Sequence, residues 1–194
     1  MNSHNVASMT QPEIKGPVVN GVPTGQLLEV IGHIQQNAEL AQFQFRLHNR
    51  WQGGSINRSR MDEWFAEGQE KRHDRQFTLD ADEPALIAGR DTAPTPVEYV
   101  LHALVSCLTT TMIYHASVQG IAVESVESRV EGDIDVRGFF GLSDEVRKGF
   151  NAVRVVMRVK SEADAETLRG LAMYSAVYDI VANSLPVEVV LQKG

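Results

Sequence analysis

The sequence predicts an α+β fold, because its helical and strand-like segments follow one another without regular alternation. Two observations carry that reading. Residues 96–117 are apolar or small on nearly every side, as a helix buried in a core must be. Around that run stand segments of period two, in which apolar and charged residues alternate as on a half-covered sheet. The predicted order is helix, three strands, long helix, two strands, helix, strand.

Residues 1–22 read as a flexible polar tail with scattered Pro and Gly, ahead of a single domain over 23–194. The domain begins with an accessory N-terminal helix over 23–41, where Leu27, Ile31 and Ile34 form an amphipathic stripe and Thr24 is placed to cap it. In residues 42–51, Phe43, Phe45, Leu47 and Trp51 alternate with Gln44, Arg46, His48 and Arg50, which reads as a strand. Gly53-Gly54 supplies a turn, and residues 55–65 return as its hairpin partner. The charged run 66–75 reads as a solvated loop, 77–79 as a short strand and 82–94 as a loop. Trp51 and Trp64 read as core or subunit-contact aromatics.

Thr95 caps the central helix, Pro96 suits its first turn and Glu98 favours its dipole. Residues 126–136 and 152–160 then read as two strands of opposite charge, so that antiparallel pairing sets acids against bases. Between them, Ser143 is placed to cap a single helical turn. A second amphipathic helix is expected over 163–182, and a last apolar strand over 187–191.

The 194 residues suffice for one core of ordinary size. A formal charge of −7 and a pI near 5.4 argue against nucleic acid, whose phosphates need a basic surface, and against anionic membranes. No run of 18 apolar residues and no signal-like N-terminus occur, and a single cysteine rules out an intrachain disulfide. A cytoplasmic protein handling small molecules is the plain expectation. His102, Cys107 and His115 do not share a helix face, so neither a metal nor any other cofactor is expected.

Asp82-Glu83-Pro84, Gly89, and Thr95-Pro96-Val97-Glu98 leading to Ser106-Cys107-Leu108-Thr109 resemble the osmotically inducible protein C (OsmC) and organic hydroperoxide resistance superfamily. The shared pattern is Pro-x-Glu with a cysteine on the same helix. His115-Ala116, Gly120-Ile121, the stretch 132–142 and Tyr174-Ser175-Ala176-Val177-Tyr178-Asp179 continue it, within a subgroup carrying an extra N-terminal helix. The resemblance implies an OsmC-like fold: an intertwined homodimer with two long central helices per subunit, antiparallel sheets and an active site at the dimer interface. It further implies that the helix cysteine attacks a peroxide, that a cysteine on the last helix resolves the sulfenic acid, and that an external thiol or dithiol restores it. Two positions depart from that pattern. Ser175-Ala176-Val177 holds no resolving thiol, and Val97 stands where peroxidase members have a carboxylate.

Peroxide reduction needs a thiolate. Cys107 lies three turns into its helix, beyond reach of the helix dipole, and burial among Leu104, Val105 and Leu108 raises a thiol pKa. A cation is therefore expected beside it: Arg58, whose place after the hairpin turn best matches the superfamily's arginine, or Arg50. Thr111 and Leu104 share the Cys107 face. His115 sits about 80° round the helix and is placed to line the same cleft, while Glu98 points about 180° away and is placed to orient an arginine. The expected function is thiol-dependent reduction of a small-molecule hydroperoxide by one cysteine and an external thiol. The alternative is a non-catalytic dimer that binds an apolar small molecule, with Cys107 only lining the cleft, since a lone cysteine in an apolar helix is ordinarily a small hydrophobe.

Overall fold

A computed structural model describes residues 16–194. The expected tail lies outside the described residues over 1–15, but 16–22 are built into the fold. Strands β1 (Val18–Val19) and β2 (Val22–Pro23) form a two-residue hairpin. Asn20 and Gly21 both have positive φ, the backbone of a tight primed turn. Asn20 then pins the hairpin to the body: its Nδ2 donates to Ser117 Oγ at 3.1 Å and to the Ile121 carbonyl at 2.9 Å, and its Oδ1 accepts from Val123 N at 2.8 Å. The accessory helix α1 (Thr24–Gln36) follows. Thr24 does not cap it; its hydroxyl donates to the Pro17 carbonyl at 2.9 Å and helps close the hairpin.

The first sheet joins β3 (Gln44–Phe45), β4 (His48–Gly53), β5 (Ile56–Ala66) and β6 (Gln69–Ala81), all antiparallel about the central β5. The expected loop over 66–75 is corrected: Glu67 and Gly68 turn the chain with positive φ, and β6 runs thirteen residues from Gln69. Its charges are outward strand residues, and Arg46–Glu70 and Arg72–Glu63 pair across strands at 2.7 and 2.5 Å. A register shift between Met61 and Glu63 puts Met61 and Trp64 together on the apolar face with Phe45, Leu47, Phe77 and Leu79.

The loop from β6 to the long helix is organised by Asp82, which is fully buried. Its carboxylate accepts from Ser55 Oγ (2.5 Å), Thr92 Oγ1 (2.7 Å) and the amides of Glu83 (2.8 Å) and Thr92 (3.0 Å). The Ser55 and Thr92 hydroxyls above all hold it well below the usual carboxylate range. Gly89 packs so closely on the loop that a Cβ there would lie 1.7 Å from the Glu83 carbonyl oxygen. Helix α2 (Pro96–Val118) opens with the full capping box between Thr95 and Glu98 and with Pro96 in its first turn. It is long and apolar enough to cross a membrane by length and composition alone, and its Leu104, Leu108, Met112 and Ala116 are buried in the core.

Strands β7 (Val123–Ile134) and β8 (Phe150–Ser161) pair antiparallel, with Glu127 opposite Arg158 and Glu131 opposite Arg154. The turn between them, α3 (Val136–Phe139), is capped by Asp135 and not by Ser143. The expected second long helix is broken into α4 (Ala165–Ala172) and α5 (Ala176–Ala182), capped by Asp164 and Ser175. A serine inside a helix competes for backbone partners, and Ser175 resolves that competition by starting a new helix. Leu168, Leu171 and Ala172 pack on the buried face of α2, with Val153, Val155, Met157 and Val159 below. Residues 187–191 are not a strand within this chain: Val187, Val189, Val190 and Leu191 are 68–94% exposed. The observed architecture is α+β with antiparallel sheets.

Candidate active site

Cys107 is half-buried on the inner side of α2. Its Sγ lies 3.8 Å from Thr111 Oγ1, one turn on along the same face. The start of α5, at Ser175, Ala176 and Val177, supplies the other polar groups that bear on the thiol's ionisation. Burial pushes the Cys107 thiol up. The hydrogen bonds from Ser175, the Val177 amide, Thr111 and the Ala176 amide together outweigh that cost and leave it below its ordinary value. These groups are neutral, and among the described residues no charged group acts on the sulfur.

The sequence-predicted residues divide accordingly. Thr111 is at the sulfur. His115 stacks on Tyr174, with ring centroids 4.6 Å apart and planes within 18°, so the segment 174–177 runs along the helix face from His115 to Cys107. Leu104 is only 3% exposed and belongs to the core; with Leu108 and Met112 it lines an apolar cavity of about 1110 Å³ between α2, β8, α4 and α5.

Arg58 and Glu98 are engaged elsewhere within the chain, and Arg50 lies beside Arg58 on the first sheet. Arg50 and Arg58 are cross-strand partners on one sheet face, opposite the face of Trp51 and Leu79, and Arg58 forms an ion pair with Asp80 at 2.6 Å. The Glu98 carboxylate is taken up by the capping box, accepting from Thr95 N at 2.8 Å and Thr95 Oγ1 at 2.9 Å. The residues that sequence reasoning missed are Ser175, Ala176 and Val177. The available signal was Ser175 itself, a strong N-cap residue in the middle of an expected helix.

Comparison with known proteins agrees with this architecture. Residues 89–191, more than half of the chain, match the family model described as OsmC-like protein. An OsmC-like protein from Mycoplasma pneumoniae superposes with a TM-score of 0.53 at 13% identity, over 73% of this chain and 89% of that one. A protein described as an osmotic stress induced and detoxification response protein, from Psychrobacter arcticus, gives 0.50 at 16% identity, over 68% and 83%. At these identities the likeness shows the fold alone. No curated protein matches the chain. The family match, the shared fold and the cysteine-bearing central helix lead to one assignment: the chain belongs to the OsmC-like protein family.

Proposed function

We propose that this protein reduces small organic hydroperoxides through Cys107, in defence against oxidative stress. The observation that carries the reading is the half-buried sulfur with Thr111 at 3.8 Å, in a setting whose hydrogen bonds lower the thiol below its ordinary value and so raise its thiolate fraction. The thiolate attacks the terminal oxygen of the hydroperoxide, the O–O bond breaks, and the departing alkoxide takes a proton to leave as the alcohol. Cys107 becomes a sulfenic acid. One external thiol condenses with it, releasing water and forming a mixed disulfide. A second thiol then frees Cys107 and carries away the disulfide.

An arginine enters this scheme only from a second subunit, since Arg50 and Arg58 stand away from the sulfur of their own chain. A homodimer is the assembly that fits. Each chain carries an apolar sheet face with Phe45 74% and Leu47 57% exposed, and an apolar C-terminal segment over 187–191 with no strand partner. The test is stoichiometric cumene hydroperoxide followed by dimedone. Rapid, saturating label on Cys107, absent in Cys107→Ser, is expected. Label no greater than in a denatured control would end the proposal.

The cavity of about 1110 Å³ favours a second reading, a non-catalytic dimer that holds an apolar small molecule. Cys107 does not line that cavity. On this reading, Cys107→Ser binds a hydrophobic fluorophore as tightly as the unmodified protein while the dimedone label fails.

A further inference from the structure

We propose that the cavity between α2, β8, α4 and α5 binds long-chain carboxylates, at a place apart from the Cys107 sulfur; the inference rests on the second reading above and names its ligand. The cavity holds about 1110 Å³, more than a compact small molecule fills. It is also long. Val153, Val155, Met157 and Val159 line it from one face of β8, and that stretch of strand spans about 20 Å. An extended fatty acyl chain has this reach. A chain of methylenes gains from the whole length of such a wall, because every apolar group it buries contributes and none needs a polar partner.

Methionines make the wall adaptable. Met112, Met157 and Met173 line the cavity, three of the six methionines in the chain. An unbranched thioether side chain repacks around ligands that differ in length or bend.

The polar lining decides the head group. Among the described residues, Arg147 and Arg169 are the only charged side chains that line the cavity, and both are cations. The chain carries a formal charge of −7, so two cations and no acid here run against its overall balance. Arg58, Arg137 and Arg154 each hold a carboxylate of their own chain. Among the described residues, Arg147 and Arg169 hold none. Both are exposed, so they stand where the cavity meets water. An unpaired guanidinium suits a carboxylate, which it meets with two parallel N–H donors. An apolar wall edged by unpaired cations therefore fits an amphiphile with an anionic head better than a plain hydrocarbon.

The test uses the full chain and cis-parinaric acid, a fatty carboxylate whose emission rises on burial. Saturable binding is expected. Laurate should displace the probe at least about tenfold better than dodecanol, which has the same chain length and no charge. Replacing both cations, Arg147→Gln with Arg169→Gln, should abolish that preference and leave binding of the uncharged fluorophore N-phenylnaphthylamine as it was. Met157→Trp, which fills the cavity, should weaken both probes about tenfold or more. Each variant is first shown to be folded by circular dichroism.

Equal displacement by laurate and dodecanol, or a preference that survives the loss of both arginines, overturns the inference and leaves an apolar cavity behind. If neither probe binds the unmodified protein, the second reading falls and this inference falls with it. A sedimentation mass altered by Met157→Trp would in that case give the cavity to a second copy of the chain.

Discussion

β7 and β8 lay their apolar face on helices of their own chain, and Val153, Val155, Met157 and Val159 are half-buried there against α2 and α4. The sheet of β3 to β6 has the same alternating pattern, yet Phe45, Leu47 and Trp51 remain 57–74% exposed. Trp64 even buries an indole N–H with no hydrogen-bond partner, beneath Phe43 and Phe45 stacked on its ring. Both sheets are amphipathic, but only one is completed by the chain that makes it. The fold therefore comes in a self-sufficient half, whose sheet is covered by its own helices and which holds Cys107, and a half whose apolar sheet face is left open. Between them lies the Asp82 loop, whose buried carboxylate ties Ser55 of the first sheet's turn to Thr92 ahead of α2.

The comparison breaks most directly at Leu108, which is 5% exposed at the centre of the self-sufficient half. Leu108→Ala is expected to cost about 3–4 kcal/mol in denaturant-induced unfolding, the usual loss for a leucine truncated in a packed core. Substitution of the other half should act on assembly instead. The paired change Phe45→Ser and Leu47→Ser is expected to move sedimentation mass from two chains to one and to weaken self-association at least about tenfold, or about 1.4 kcal/mol. An unchanged mass would mean that this apolar face covers itself in some other way.

Acid should weaken the joint before either half. Asp82 has a folded-state pKa held below its unfolded value, so the stability it contributes is complete above about pH 4 and declines as pH falls toward the folded value. Thermal melts of the unmodified protein should therefore fall more steeply below pH 4 than those of Asp82→Asn, which starts from a lower plateau. Parallel declines would show that the carboxylate charge is not what ties the loop.

Much of the self-sufficient half was legible in sequence. Thr95, Pro96 and Glu98 mark the start of α2 by chemistry that does not depend on the rest of the fold, and the charge alternation of β7 and β8 gave their pairing. Cys107 and Thr111 were legible as neighbours because helix spacing alone sets them one turn apart. What was hidden depends on contacts between distant segments. β6 begins with a charge run that looks like a loop until Glu63 and Arg46 are seen across from it. The α4–α5 break obeys Ser175 rather than the apolar periodicity that runs through it. Asn20 reads as tail because its partners, Ser117, Ile121 and Val123, lie about a hundred residues away. The arginines expected at the sulfur illustrate the same limit: spacing told that they share a hairpin, not where in the fold that hairpin packs.

The smallest effect tests whether the cap of α2 and the sulfur within it are independent. Thr95→Ala removes the hydroxyl that accepts Glu98 N at 3.2 Å and loosens the Glu98 carboxylate that this box holds. The expected loss is about 1 kcal/mol in thermal or denaturant unfolding, and Thr95→Ser should restore most of it. Cys107 lies about three turns further on, and the polar groups that bear on its ionisation come from Thr111 and the start of α5 rather than from the first turn. The pH midpoint of its alkylation by iodoacetamide should therefore be the same in Thr95→Ala as in the unmodified protein. A midpoint that moved with the cap would show that the strength of α2's first turn reaches the sulfur after all, and the local account of Cys107 activation would have to give way to one in which the whole helix sets its reactivity.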